Sequence, residues 1–135
     1  MSPDNERMMR EKLRQDGGMG VYATLNIPKI KDAINTSDVL VESLYSWDEL
    51  KILQENFSNI TTIAIVVDKN IRYERLKDRV YRPLTKEEAA KRDLTETENI
   101  KKCEPIANAD YYIMNNGTID EFYERCDEVL NEIYK

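Results

Sequence analysis

Three short apolar runs stand out in the pattern of hydrophobic and polar residues, and each predicts a β-strand. The clearest spans residues 60–67, an uncharged and largely β-branched segment. A shorter run at 39–41 suits a buried parallel strand, and a tyrosine-containing run at 109–115 predicts a third strand. The sheet that these runs predict is therefore small.

Helical periodicity and capping residues predict helices around these runs. Ser46 with Glu49, and Thr85 with Glu88, match the pattern in which a hydroxyl and a carboxylate cap a helix N-terminus. Ser2 is expected to cap the first helix, and Pro28 to kink or interrupt the second. The predicted helices cover residues 3–15, 19–33, 47–56, 70–80, 87–106 in pieces, and 119–134 with Thr118 as the cap.

The order of the elements predicts the fold class. Helices and strands alternate through most of the chain, which is typical of an α/β protein with a parallel sheet. The length of 135 residues fits one domain and leaves little room for two. We therefore expect a single α/β domain.

The composition excludes several classes of protein. Hydrophobic residues make up 41% of the chain and charged residues 34%, which is typical of a folded domain. A net charge of −6 argues against general nucleic-acid binding, and no apolar run approaches the length of a membrane span. The absence of histidine excludes histidine-based triads and metal ligands, and two cysteines make neither a disulfide framework nor a zinc site. We expect no metal ligands and a cytoplasmic location.

The charge is unevenly distributed along the chain. Residues 69–92 contain nine basic and four acidic residues, a net charge of +5, which leaves −11 for the remainder. A basic segment in an acidic protein indicates a local site for an anion.

The arginines of this segment are the main candidates for that site. Arg72, Arg75 and Arg79 are spaced so that they share one helix face, and Arg82 follows the predicted helix end. Arg92 lies beyond a break marked by proline. Guanidinium groups match phosphate oxygens two at a time, so this set can close over a polyphosphate. The alternative is a solvated helix face, paired locally with acidic neighbours.

Two carboxylates follow predicted strands. Glu42 comes after the run at 39–41, where ligands gather in open α/β sheets and where a carboxylate can hold magnesium through water or accept a proton. Asp68 ends the run at 60–67 and is equally suited to cap the following helix. For both residues an ordinary surface position remains the alternative.

Several segments together resemble the dephospho-coenzyme-A-kinase-like P-loop nucleotide kinases. The segments are LYSWDE at 44–49, RYERLKDR at 72–79, RPLTKEEA at 82–89 with Arg92 and Asp93, PIANADY at 105–111, NNGT at 115–118, and REKLR, GVYA and LNIPKI between residues 10 and 30. The similarity covers most of the chain in one order.

The resemblance implies a three-layer α/β/α fold and transfer of a phosphoryl group from ATP with Mg²⁺. It implies that Arg75, Arg79, Arg82 and Arg92 bind ATP phosphates, and that Glu42, Arg79 and Arg82 take part in catalysis. Residues 1–35 would form acceptor-side helices, 36–68 and 107–135 the core, and 69–106 the arginine-rich helix and lid.

The phosphate-binding loop of that family, G-x-x-x-x-G-K-[ST], does not occur in this sequence. The resemblance therefore implies an N-terminally shortened kinase that lacks its first strands and P-loop helix and is inactive alone. A sheet without its first strand would leave apolar edges, so we expect a homo-oligomer.

Two hypotheses of other classes remain beside the kinase fragment. One is a non-catalytic α/β module in which the arginine-rich segment binds an anion, a nucleotide or phosphate, or a protein. The other is an acidic helical interaction domain. Neither nucleic acid nor membrane is an expected partner.

Overall fold

A computed structural model describes residues 3–135, with side chains from Asn5 onward. The chain divides into two compact units, Met1–Ile60 with Ile100–Pro105, and Thr61–Asn99 with Ile106–Lys135. The single domain over residues 1–135 and its three predicted parts stay predictions. The predicted cap Ser2 lies outside the described residues.

Three helices form the first unit: α1 (Pro3–Gly17), α2 (Val21–Ala33) and α3 (Trp47–Asn56). Its core is built on Ala23 and Ile30 of α2 and Leu53 of α3. Pro28 lies inside α2, so the helix runs through the predicted interruption. Gly20 allows the close packing of α2 on α3, because a Cβ at this position would overlap the side chain of Ile52.

The start of α3 agrees with the sequence prediction. The Glu49 amide donates to Ser46 Oγ at 3.2 Å, and the Ser46 amide donates to Glu49 Oε2 at 2.9 Å. Both side chains are buried, and Glu49 also accepts from the Tyr45 amide. The capping box therefore satisfies amides that the first helical turn leaves without partners.

The predicted strand at 39–41 is wrong. Residues 38–46 have no regular secondary structure, and Leu40 is 90% exposed. A strand is stable only when a neighbour pairs with its backbone, and the described residues of the first unit contain no strand. The apolar composition alone was therefore misleading here.

The second unit contains a parallel sheet of two strands, β1 (Ile63–Val66) and β2 (Tyr111–Met114). Ile63 is paired with Tyr111 and Val66 with Met114. Its helices are α4 (Lys69–Asp78), α5 (Lys86–Glu98) and α7 (Ile119–Ile133). The short α6 (Cys103–Ala107) precedes β2 in the chain and begins within the residues of the first unit. Capping boxes begin α5 at Thr85 and α7 at Thr118, as the sequence predicts for the caps.

The fold class is therefore mixed α/β with seven helices and a parallel sheet in residues 3–135. The expectation of three strands is wrong, because only the last two predicted runs are strands. The three-layer P-loop kinase fold is not confirmed. Within the described range, no helix has both the length and the apolar composition that a membrane span requires.

Candidate functional site

The predicted site residues are distributed over both units. Glu42 is exposed in the irregular segment of the first unit. The four arginines belong to the second unit: Arg75 is in α4, Arg79 caps the end of α4, Arg82 is in the following loop, and Arg92 is in α5. The predicted catalytic role of Glu42 and the predicted roles of these arginines in catalysis and cofactor binding stay predictions.

Arg72 joins α4 to α5 through an ion pair. Its Nη1 and Nη2 donate to Oδ1 and Oδ2 of Asp93 at 2.6 and 2.7 Å. The hydroxyl of Tyr73, which is buried, donates to Asp93 Oδ2 at 2.8 Å. Arg72 lowers the pKa of the Asp93 carboxyl, and Tyr73 adds to the effect, whereas burial raises the pKa of Tyr73. These contacts assign Arg72 a structural role.

Arg75 also binds within the protein. Its Nη1 donates to the Asn115 carbonyl at 2.5 Å, and its Nη2 donates to the Gly117 carbonyl at 2.7 Å. The guanidinium thus holds α4 against the turn between β2 and α7. Carbonyl oxygens thus accept from both terminal nitrogens, which leaves fewer of the five N–H donors for a phosphate.

Arg92 forms a pair along its own helix. Its Nε donates to Glu96 Oε1 at 2.8 Å, a contact between residues four apart. Such pairs on a helix surface contribute a few tenths of a kcal/mol, about 0.2–0.5 kcal/mol. Local pairing of the kind that the alternative predicts thus occurs at Arg92, whereas Arg72 pairs with a carboxylate 21 residues away.

Arg79 and Arg82 differ from the other arginines, because they organise the connection between α4 and α5. We refer to residues 79–85 as the arginine loop. Arg79 Nε donates to the carbonyl of Arg82, and the amide of Leu84 donates to the carbonyl of Leu76 at 3.0 Å. Arg82 has a φ of 51°, in the left-handed region that non-glycine residues rarely adopt. The loop therefore has a defined conformation that its hydrogen bonds maintain.

The tip of the arginine loop is highly exposed. Val80 is fully exposed and Tyr81 is 72% exposed. The guanidinium of Arg82 lies over the Tyr81 ring at 5.0 Å from its centroid. Among the described residues, the terminal nitrogens of Arg79 have no hydrogen-bond partner. The arginine loop thus contains an exposed aromatic ring with a guanidinium over it, and a second, partly exposed arginine, Arg79.

A shallow groove of about 560 Å³ runs along α4 beside this loop. Its lining residues are Asn70, Ile71, Glu74, Arg75, Asp78 and Arg79. Two carboxylates balance the two guanidinium groups, so the groove has no net charge from its lining. Selectivity for an anion must therefore come from the arginine loop.

The carboxylates do not assemble a cation site in the described part of the chain, where no group of three or more acidic or cysteine side chains is placed to hold a metal. Asp68 occupies the N-cap position of α4, as one alternative predicted, but its side chain makes no capping hydrogen bond. Its amide instead donates to Asn116 Oδ1 at 2.8 Å.

Sequence reasoning missed the role of Asp93, which lies 21 residues from Arg72. No local pattern identifies such a distant partner. It also missed the exposure of Val80, although the proline at position 83 marked a break in the helix.

No protein-family model matches the chain. Three archaeal relatives are similar to it, all named UPF0200 protein. The relative from Sulfurisphaera tokodaii is 35% identical over 135 residues, covering 96% of this chain and 73% of the relative. That from Pyrococcus horikoshii is 31% identical over 98% of this chain and 73% of its own length. The relative from Thermoplasma acidophilum is 30% identical over 88% of this chain and 65% of its own length.

These relatives correct the family assignment that the sequence suggested. The resemblance to dephospho-coenzyme-A-kinase-like P-loop kinases is wrong, because the relatives are UPF0200 proteins and none of the three is named as a kinase. The matches also do not show the N-terminal truncation that the resemblance implied. Identities of 31–35% over nearly the whole chain and 73% of two relatives establish that the chain belongs to the UPF0200 family.

Proposed function

We propose that the chain is a non-catalytic α/β module that binds an oxyanion, such as phosphate or a phosphorylated small molecule, at the arginine loop. The observation that carries this proposal is the surface of the loop. Arg79 and Arg82 flank the exposed Val80 and Tyr81 in a chain with a net charge of −6. Residues of this kind recognise phosphates through paired N–H donors.

The donor chemistry of the two arginines suits this role. Arg79 uses Nε within the loop, and its terminal nitrogens have no other partner among the described residues. The guanidinium of Arg82 lies over the Tyr81 ring. Hydrogen bonds in which both partners are charged are shorter and stronger than those between neutral groups. Tyr81 supplies an apolar surface beside the donors.

The conformation of the loop favours binding further. A non-glycine residue in the left-handed region costs about 1–2 kcal/mol, and at Arg82 the surrounding hydrogen bonds offset that cost. Because hydrogen bonds already hold the backbone of the loop, binding does not have to order that backbone. The +5 charge of residues 69–92 attracts the anion in addition.

Titration calorimetry with pyrophosphate tests the proposal. We expect saturable binding to the wild-type chain, and binding weaker by about tenfold or more in Arg79→Gln and in Arg82→Gln. Arg125→Gln, which removes an exposed arginine of α7, is the matched control and should bind like the wild type. Equal affinity in all four proteins would contradict the proposal.

Two further binding experiments, with ATP and with an acidic peptide, distinguish the kind of ligand. ATP with Mg²⁺ stays a predicted ligand, and stronger binding of ATP than of pyrophosphate would indicate that a base or ribose is also recognised. No turnover of ATP is expected in either case. A poly-glutamate peptide that displaces pyrophosphate would instead indicate an acidic protein as the partner.

We also propose that the chain self-associates. The observation that favours this is the uncharged strand β1, which has a partner strand on one side only within residues 3–135. Such an edge invites pairing with another chain. We propose a cytoplasmic location as well, on the basis of the composition alone.

A further inference from the structure

The backbone N–H and C=O groups of successive residues in β1 point alternately toward β2 and toward the opposite edge of the strand. The carbonyls of Thr62 and Val66 accept from amides of the β2 side, and the amide of Asp68 donates to Asn116. Because successive residues of a strand point their backbone groups to opposite edges, the groups of Ile63, Ile65 and Val67 point away from β2. No strand occupies that edge within residues 3–135.

Two features by which proteins normally prevent strand pairing, charged residues and proline, are missing from this edge. Residues 56–67 contain no charged residue and no proline in a chain that is otherwise one-third charged. Edge strands are usually protected by lysine, proline, a bulge or a covering element. Two acidic chains can approach each other here without opposing their charges.

Ile65 is the exposed side chain of β1, and it lies on the same face of the sheet as Ile113. Ile65 is 57% exposed, whereas Ile113, its partner in β2 on the same face, is only 4% exposed. The apolar face is thus covered over β2 and uncovered at the outer edge of β1. An additional strand beside β1 would remove apolar surface of Ile65 from water.

We propose that the occupant of this edge is a second copy of the chain, whose β1 pairs antiparallel with the first across a two-fold axis. Ile65 then lies opposite Ile65, and Ile63 opposite Val67, in a continuous sheet of two β1 and two β2 strands. The antiparallel direction follows from the symmetry, because a two-fold axis brings the same edge of both copies together. This inference rests on the proposed self-association and names its surface.

The register follows from the backbone and the charges. Hydrogen-bonded pairs require outward-pointing residues on both strands, and this register pairs all three of them. It also places Asp68 opposite Thr62 and Lys69 opposite Thr61, so that no like charges face each other. The neutral edge offers no charge with which to select an acidic or basic partner, but it is complementary to itself.

A charge exchange at position 65 tests the register. In sedimentation experiments we expect dimers of the wild type, and dimers weakened by at least about tenfold in Ile65→Lys and in Ile65→Glu, since each places like charges directly opposite. An equimolar mixture of the two variants should restore the dimer. Leu94→Lys is the control, because Leu94 is also 57% exposed but lies in α5.

The outcomes separate this inference from the proposal on which it rests. A wild-type monomer at all concentrations overturns both. A dimer that is insensitive to substitution at position 65, or variants that stay apart when mixed, overturns the pairing of β1 and leaves self-association through another surface. Should the variants fold poorly, hydrogen exchange of the wild type decides: the amides of Ile63, Ile65 and Val67 must become slower as the concentration rises.

Discussion

Arg72 and Asp93 connect α4 with α5 through two parallel hydrogen bonds of 2.6 and 2.7 Å. A third bond from the Tyr73 hydroxyl reaches the same carboxylate. The arrangement fixes the two helices on either side of the arginine loop. The conformation of the loop and the stability of this ion pair are therefore linked, although Arg72 itself is not a candidate ligand for the anion.

Replacing Asp93 with asparagine should destabilise the protein. The substitution leaves Arg72 without its charged partner, and we expect the free energy of unfolding to fall by about 1–2 kcal/mol. Urea denaturation measures the change. Asp127→Asn, at an exposed position of α7, is the control and should change stability by less than about 0.5 kcal/mol. Similar losses in both variants would contradict the role assigned to Asp93.

The same ion pair predicts a dependence of stability on pH. The pKa of Asp93 is below its ordinary value because Arg72 donates to the carboxylate. A lowered pKa in the folded state means that the contribution is complete above the unfolded pKa of about 4 and is lost as the pH falls through the folded value. Between about pH 5 and pH 3, the wild type should therefore lose more stability than Asp93→Asn. Parallel curves for the two proteins would exclude this linkage.

Asp110 should stabilise the pairing of β1 with β2. Its Oδ2 accepts from both the amide and the hydroxyl of Thr62 at 2.7 Å, and these bonds lower the pKa of the carboxyl. We expect Asp110→Ala to lower the free energy of unfolding by about 1 kcal/mol. A double-mutant cycle that combines Asp110→Ala with Thr62→Val isolates the hydrogen bond from the Thr62 hydroxyl. Additive effects in that cycle would show that the hydroxyl contributes nothing.

Arg75 provides a test that separates structure from binding. Because its terminal nitrogens donate to the carbonyls of Asn115 and Gly117, Arg75→Ala should destabilise the protein by about 1 kcal/mol or more. At a temperature where the variant is folded, pyrophosphate should bind to it within about twofold of the wild type, since only bulk charge is lost. A loss of affinity as large as that of Arg82→Gln would instead place Arg75 in the anion site.

Local sequence patterns predicted the helices well, because a helix and its cap are decided within a few residues. Ser46 and Glu49 illustrate this, as do Thr85 and Thr118. The run at 39–41 failed because a strand depends on a neighbour that no local pattern specifies. The run at 60–67 is a strand only where β2 pairs with it, from Ile63 to Val66.

The sequence predicts the candidate site only as a segment rich in basic residues. The sequence indicates a basic segment, but the partners of Arg72 and Arg75 lie elsewhere in the chain. Arg75 binds residues 40 and 42 positions away, and Arg72 binds one 21 positions away. Which guanidinium groups hold the structure together therefore depends on tertiary contacts.

Nuclear magnetic resonance of the arginine Nε–H groups during a pyrophosphate titration tests the central claim most directly. The signals of Arg79 and Arg82 should move in a saturable manner, while that of Arg72, held by Asp93, stays in place. The Tyr81 ring signals should move together with those of Arg82, because the two groups are in contact. Shifts that do not saturate, or that are equal for Arg72 and Arg82, would contradict an anion site at the arginine loop.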